Sequence, residues 1–444
     1  MKVLIVGSGA REHALAWRLG QSPSSTGIWV ANGNGGTGRI ATNLDITPQD
    51  VDGVVEAARD LGIGLVVVGP EVPLALGLVD RLDAMGIPAF GPTQAAAQIE
   101  SSKAFALDVM RTAGVPCPEF RVFYDQTAAQ DFLDRHREPV VVKADGLAAG
   151  KGVFLCRSPE EATAAVKACM DQRLFGDAGN TVLIQEFLSG PEVSVFAFCD
   201  GEHLSSMVAA CDYKRSMDGD QGPNTGGMGS FTPPEFWSAE LDQHIRTSIM
   251  EPVIREMSRR GIPYRGILYA GIMFTQAGPK VLEFNCRLGD PEAQVVLPLL
   301  DGDPLEAMLA CHERRLSTVP VKWMADHYVG VVMTSGGYPG EFETGFEITG
   351  LDDQNHEDAN TLVFHAGTNL HIDGNSGGTQ DRIVTSGGRV LTVVGRGASL
   401  AEARDRAYHR VRSIDFRGAY YRTDIAAAES RAGAWATEPS SPNG

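Results

Sequence analysis

The first 103 residues alternate short apolar, β-branched runs, at 3–6, 28–31, 65–68 and 89–90, with stretches of helical periodicity at 13–20, 51–61 and 74–85. Runs this apolar leave no wet face, and each is separated from the next by a helix. That pattern predicts a parallel, doubly wound, Rossmann-like α/β sheet covered by helices on both sides.

At 444 residues the chain exceeds one ordinary core, and about three or four folding units are expected. A helix opening at residues 101–103 ends at Gly114, and Val115-Pro116-Cys117-Pro118 then forces an extended link. Strands are expected at 140–143, 153–155 and 182–184, with a helix at 159–170, followed by a glycine-rich loop at 219–229 and a hairpin at 267–286. The predicted division is an N-terminal α/β unit at 1–103, a central unit at 104–326 with a small lobe at about 120–192, a β-rich unit at 327–426 and a disordered tail at 427–444.

Composition narrows the partners. Thirty-eight basic residues against 56 acidic ones give a net charge of −18, which repels a phosphate backbone, so no nucleic-acid partner is expected. No run approaches a membrane span and the chain enters a strand almost at once, which predicts a cytoplasmic protein with no membrane partner. The seven cysteines include no CxxC pair and read as free thiols, most of them in apolar contexts. A monomer or weak homodimer acting on small molecules is expected.

Four segments carry chemistry. In VVVKADGLAAGKGVFL, residues 140–155, Lys143 ends a strand and Gly146, Gly150 and Gly152 surround Lys151. Backbone N–H groups of such a loop can approach phosphate oxygens, although the same glycines also suit a hairpin turn; Gly152 follows the lysine, so this is no Walker loop. In VLIQEFLSGPEVS, residues 182–194, Phe187 and Leu188 lie between Glu186 and Glu192, which suits a purine slot with a ribose contact or an ordinary edge strand. In KVLEFNCRLGDPEAQ, residues 280–294, strand alternation puts Val281, Glu283, Asn285 and Arg287 on one face and Leu282, Phe284 and Cys286 on the core face. Carboxylate plus amide oxygen suits a hard cation such as Mg²⁺, and Arg287 could hold a carboxylate or stabilise phosphoryl charge. The stretch 212–233 adds Lys214, Arg215 and a glycine-rich flap.

VKADGLAAGKG, QEFLSGPEVS and LEFNCRLGDPE, in this order, resemble the ATP-grasp superfamily. With VGSGAREHALAW at 6–17, VVGPEVPLALGLVD at 67–80, ESSKAF at 100–105 and GPNTGGMGSFTP at 222–233, the resemblance narrows to the phosphoribosylamine–glycine ligase family, over about residues 1–426. That resemblance implies an ADP-forming ligase joining phosphoribosylamine and glycine through an acyl phosphate, with ATP and Mg²⁺ or Mn²⁺. It implies ATP contacts at Lys103, Lys143, Gly146, Gly150, Lys151 and Gly152, an adenine hinge at Glu186, Phe187 and Leu188, and a ribose contact at Glu192. Glu283 and Asn285 would hold the metal; Arg287, Asp290, Lys214 and Arg215 would serve the reacting end. The phosphate of phosphoribosylamine would meet the backbone of Gly7 and Gly9 with Arg11 and Glu12 nearby, Glu71 would recognise its amine or ribose, and Asn224, Thr225 and Gly226 would be further substrate contacts toward the reacting end. Met273 stands where many ATP-grasp relatives carry an acidic metal ligand, so fewer protein ligands are expected.

The first loop, Gly7-Ser8-Gly9, alone suggests a nicotinamide-dependent oxidoreductase. Glu12 replaces the third glycine of that fingerprint and no acid closes the second strand, so the reading fails. The pattern also fits an ATP-grasp enzyme of purine metabolism that carboxylates or formylates its substrate, or a noncatalytic nucleotide-binding subunit. The presence of the lysines, Glu283, Asn285 and Arg287 argues against a noncatalytic subunit.

Overall fold

Strand β1 (Lys2–Gly7) is buried at every position but its first, as a strand covered on both faces must be. It is the centre of a parallel sheet ordered β3-β2-β1-β4-β5, with β2 at Gly27–Asn32, β3 at Thr42–Leu44, β4 at Leu65–Val68 and β5 at Ala89–Phe90. Helix α1 (Ala10–Gly20) follows β1. Strand β3 is short and mostly exposed, so no apolar run announces it. The expected single helix at 74–85 is two, Glu71–Ala75 and Leu78–Ala84.

The structure is a computed structural model that describes residues 1–147, 152–351, 360–371 and 382–427. Gly150, Lys151 and the predicted tail beyond residue 427 lie outside the described residues.

Ser102 caps the helix Lys103–Ala113 through its hydroxyl, which accepts from the Phe105 N–H at 3.1 Å. Beyond it, β6 (Phe120–Phe123), β7 (Val140–Ala144), β8 (Val153–Cys156) and β9 (Val182–Glu186) form an antiparallel sheet ordered β6-β9-β7-β8. Val142 and Ile184 of this sheet pack with Leu133, Ala162 and Val166 of its two helices in a core of their own. A lobe with a separate core meets the physical requirement for moving as a unit.

The largest sheet has eight strands, ordered β16-β15-β10-β11-β14-β19-β23-β20. Its members are β10 (Glu192–Asp200), β11 (Val208–Asp212), β14 (Gly229–Thr232), β15 (Arg265–Thr275), β16 (Gly278–Asn285), β19 (His327–Thr334), β20 (Thr361–His365) and β23 (Arg389–Gly397). Three ribbons flank it: β12 (Arg215–Met217) with β13 (Gln221–Asn224), β17 (Leu300–Asp301) with β18 (Lys322–Trp323), and β21 (Thr368–His371) with β22 (Arg382–Thr385). The expected loop at 219–229 therefore contains a strand, β13. Because β14 pairs with β19, the hydrogen-bonded sheet runs unbroken from the central segment into the C-terminal one. The helix Leu400–Val411, capped by Ser399, packs on β23. No helix among the described residues is long and apolar enough to cross a membrane. All seven cysteines are free, and all but Cys117 are buried.

The N-terminal unit meets the C-terminal strands at two buried histidines. The His365 N–H donates to His13 Nδ1 at 2.8 Å, and the rings lie 5.4 Å apart. Burial, then the neighbouring His365, pushes His13 down to about 3; burial, then Arg39, pushes His365 down to about 4. Both are neutral in the folded protein, whereas the unfolded chain takes up these protons near pH 6.5. Stability is therefore unaffected by the pair above that pH and falls as pH drops from 6.5 toward 4 and 3, by about 1.4 kcal/mol per pH unit for each histidine. Denaturant midpoints at pH 7 and pH 5 should show that loss, and His13→Gln should flatten it; an unchanged slope would contradict the assignment.

Candidate active site

A cleft of about 450 Å³ opens where the N-terminal sheet, the small lobe and the large sheet approach one another. It is lined from all three, by Arg11 and Glu71, by Lys143 and Gly146, and by Tyr269, Glu283 and Asn285. A volume in this range holds a small-molecule ligand or nucleotide.

The key strand is not regular. In the β15–β16 pair, Gly271 faces Glu283 but the next residue, Ile272, faces Val281, which leaves Leu282 as the extra residue of a β-bulge. The bulge reverses the side chains that precede it. Val281, expected beside Glu283, is fully buried in the core with Phe284 and Cys286. Glu283, Asn285 and Arg287 line the cleft as expected, and Leu282, expected in the core, joins them.

Burial alone would raise the Glu283 carboxyl, but Lys143, Lys214, Lys103 and Arg287 outweigh it and hold the group below the usual carboxylate range. It is a carboxylate at neutral pH. Lys143 is the reverse case: burial drives its ammonium down, Glu283 resists, and the net shift is downward. Its Nζ donates to the Leu282 carbonyl at 3.4 Å. Lys103 Nζ donates to the Gly146 carbonyl at 2.8 Å, and Asp145 accepts from the Ala104 N–H at 3.1 Å, so the lobe's turn docks on the start of the helix Lys103–Ala113. Gly152 lines the same wall.

Arg287 is held on two sides. Its Nη2 contacts Glu100 Oε1 at 2.8 Å and its Nε contacts Glu71 Oε2 at 3.3 Å, while Nη2 also donates to Asn285 Oδ1 at 3.3 Å. Burial would lower Arg287 and raise Glu71; Glu100 and then Glu71 reverse the first, Arg287 and then Arg11 the second, keeping the guanidinium charged and Glu71 ionised. Asp290, where burial is outweighed by Arg389 and Arg11, is likewise held ionised, and accepts from Gln294 Nε2 at 2.8 Å.

The first loop is filled from within. The Gly9 N–H, expected to meet a phosphate, donates to Glu12 Oε2 at 2.6 Å, and Glu12 Oε1 takes Arg11 Nε at 2.6 Å. A Cβ on Gly7 would lie 2.6 Å from Glu12 Cδ and one on Gly69 would lie 2.1 Å from its Oε1. Glycine at both positions makes room for a buried carboxylate. Arg11 Nη1 continues to the Leu288 carbonyl at 3.1 Å, tying the loop to the segment after β16.

Other expected residues are spread more widely. Lys214, Thr225 and Gly226 line the cleft, with Lys214 paired to Glu192. Thr225 folds over Lys214, its N–H donating to the Lys214 carbonyl at 2.7 Å. Arg215 lies on the ribbon instead and donates to the Gly222 carbonyl at 2.7 Å; Asn224 is exposed on the paired strand. Arg215 opens β12, one residue beyond Lys214, and its guanidinium stays with that ribbon. Glu186 pairs with Lys280 at 2.7 Å, and the Phe187 ring lies 5.7 Å from the Arg157 guanidinium; Leu188 is half-buried in the linker from β9 to β10, and Gln185 is the β9 residue on the cleft wall.

Glu100, Asp145 and Glu292 lie within ESSKAF, VKADGLAAGKG and LEFNCRLGDPE without a role that their own pattern assigns, and Arg389 ends Ser386-Gly387-Gly388-Arg389, a segment that from sequence suits either closure of the site or a glycine-rich turn in a sheet. Glu292 is buried on the cleft wall, where Oε1 accepts from Ser194 Oγ at 2.9 Å and Tyr269 OH at 3.1 Å.

Glu283 and Asn285 are both oxygen donors, one of them ionised, as a hard cation requires. Among the described residues no cluster of three or more His, Cys, Asp or Glu is placed to hold an ion. A Mg²⁺ or Mn²⁺ ion would therefore draw on phosphate and water for its remaining ligands.

A small antiparallel lobe facing a large sheet, with lysines on one side of the cleft and a carboxylate–amide pair on the other, defines an ATP-grasp ligase. Three family models match in succession: the phosphoribosylglycinamide synthetase N domain at residues 1–100, its ATP-grasp (A) domain at 101–293 and its C domain at 328–428. Phosphoribosylamine–glycine ligases of Allochromatium vinosum and of a Nostoc species are each 47% identical to the chain, over 96% of it and 98% and 99% of their own lengths. The crystal structure of the phosphoribosylamine–glycine ligase of Thermotoga maritima matches with a TM-score of 0.80 at 33% identity, covering 96% of this chain and 100% of that one. The chain belongs to the phosphoribosylglycinamide synthetase family, the phosphoribosylamine–glycine ligases.

Proposed function

We propose that this cleft joins glycine to 5-phosphoribosylamine at the expense of ATP, giving glycinamide ribonucleotide, ADP and phosphate, the second step of de novo purine synthesis. The observation that carries the reading is the ionised Glu283, set beside Asn285 and among Lys143, Lys214, Lys103 and Arg287. That is a phosphoryl-transfer site: cations for a polyphosphate and oxygen donors for its counter-ion.

In the first step a glycine carboxylate oxygen attacks the γ-phosphorus and ADP leaves. In the second, the amine nitrogen attacks the acyl carbon, phosphate departs with that oxygen, and the nitrogen loses a proton. Lys103, Lys143 and the turn at Gly146 and Gly152 cover the triphosphate, with Gly150 and Lys151 assigned to the same cover. The backbone from Glu186 to Leu188 meets the adenine edge and Glu192 the ribose. Glu283 and Asn285 hold Mg²⁺ or Mn²⁺, which supplies charge neutralisation on the transferring phosphoryl group. Arg287 and Lys214 orient glycine and its acyl phosphate, while Arg11, Glu71, Asp290, Thr225 and Gly226 face the phosphoribosylamine end. Arg215 and Asn224 shape the ribbon that supports Lys214. Holding reactants in line, with water excluded by the closing lobe, accounts for catalysis without a covalent enzyme intermediate.

The division at residues 103 and 326 is retained as the division of labour between phosphoribosylamine, ATP and closure, and the enzyme is assigned to the cytoplasm. ADP release in the presence of Mg²⁺ and freshly made phosphoribosylamine should require both glycine and the amine. Release that proceeds with bicarbonate or formate in place of glycine would assign the chain to a carboxylating or formylating reaction instead.

A further inference from the structure

Among the residues lining the cleft, Arg389 alone comes from beyond residue 292. It opens β23, and its carbonyl accepts from the Gly367 N–H at 2.9 Å, which fixes the backbone at that point. Its Nη1 donates to the carbonyls of Gly226 at 2.6 Å and Asp290 at 2.7 Å and lies 3.5 Å from Asp290 Oδ1. A Cβ on Gly226 would sit 3.0 Å from the guanidinium carbon, so glycine there lets the flap lie flat against the cation. All three acceptors take the same corner of the guanidinium. The opposite Nε–Nη2 fork has no acceptor among the described residues.

The other cations at this end are engaged. Arg11 is held by Glu12 and the Leu288 carbonyl, Arg287 by Glu71 and Glu100, and Lys214 by Glu192. Asp290 in turn lies against the first loop, its Oδ2 being 3.1 Å from where a Gly9 Cβ would stand. Arg389 therefore stands where the flap, the Asp290 turn and the N-terminal loop converge.

A planar fork of two parallel N–H donors matches two oxygens of a phosphate monoester. We infer that Arg389 binds the 5-phosphate of phosphoribosylamine, so that the C-terminal segment supplies the anion site at the substrate end of the cleft. This rests on the ligase reading above.

The test compares the affinity of glycinamide ribonucleotide with that of the same riboside lacking its phosphate, by calorimetry with ADP and Mg²⁺ present. In Arg389→Met the nucleotide should weaken roughly 10- to 100-fold, the cost of losing a charge-assisted fork, with the riboside unchanged and ATP affinity retained. Arg389→Lys, used also if the methionine variant does not fold, should show the same selective loss to a smaller extent. Tyr338→Phe is the control for flap position, because Tyr338 OH accepts from the Gly226 N–H at 3.0 Å and carries no charge for a phosphate; it should keep the preference for the phosphorylated ligand. Equal weakening of both ligands, no weakening of either, or the same pattern in Tyr338→Phe would overturn the inference while leaving the ligase reading in place. A wild-type enzyme that neither makes nor binds the nucleotide would instead remove the ligase reading and this inference with it.

Discussion

Glu283→Ala should lower turnover by at least about 10³-fold, roughly 4 kcal/mol of transition-state stabilisation, with little change in thermal midpoint. Under the proposed assignment this carboxylate is one of two protein groups that would hold the metal, and the four cations around it keep it ionised. Without it, a counter-ion of the triphosphate would keep only Asn285 of the two residues assigned to it. The fold should tolerate the change because Lys143, whose ammonium is already pushed down by burial, can give up its proton when its partner is gone. Glu283→Gln should behave alike, since it keeps the shape and loses the charge. Near-normal turnover at saturating Mg²⁺ would show that the metal is held elsewhere.

Arg287→Met should be costly in two separable ways. It strands Glu71 and Glu100, two largely buried carboxylates that share this one guanidinium. Breaking a buried pair from one side costs roughly 3–5 kcal/mol, far more than an exposed pair is worth. A marked drop in thermal midpoint is therefore expected, together with a loss of turnover of at least about 100-fold from the missing charge at the acyl phosphate. Adding Glu100→Gln should recover much of the midpoint, because the remaining charge, Glu71, is nearer solvent. It should not recover turnover. Full recovery of both in the double variant would make Arg287 a structural residue only.

These two residues also show where sequence reasoning reaches and where it stops. The polar set Glu283, Asn285 and Arg287 is readable because a strand repeats every two residues and their types suit a cation and an oxyanion. The placement of Val281 and Leu282 is not readable, since a bulge changes the count without changing the composition. Glu100 cannot be found from local pattern: its partner Arg287 is 187 residues away, and one glutamate near a helix end resembles any other. Arg389 is legible only as the end of a glycine-rich turn that could close the site, because strand pairing within the large sheet, and no local pattern, brings it to the cleft.

The N-terminal loop gives a different lesson. Its glycines are legible as a close backbone approach, and the group that approaches the Gly9 N–H is the side chain of Glu12, three residues on. The residue that breaks the dinucleotide fingerprint thus fills the space a dinucleotide phosphate would need. The parallel α/β sheet is legible because its strands lack a wet face, except for β3, which has too little apolar surface to register. The lysine pair Lys103 and Lys143 is legible only through resemblance, because nothing local to either strand or helix tells that both meet one cleft.

In the proposed reaction the glycine carboxylate is activated as an acyl phosphate before the amine attacks it. Glycine carrying ¹⁸O in both carboxylate oxygens tests this directly. The phosphate released with each glycinamide ribonucleotide should carry one ¹⁸O atom, the other staying in the amide. Unlabelled phosphate from a reaction that forms the nucleotide would contradict it.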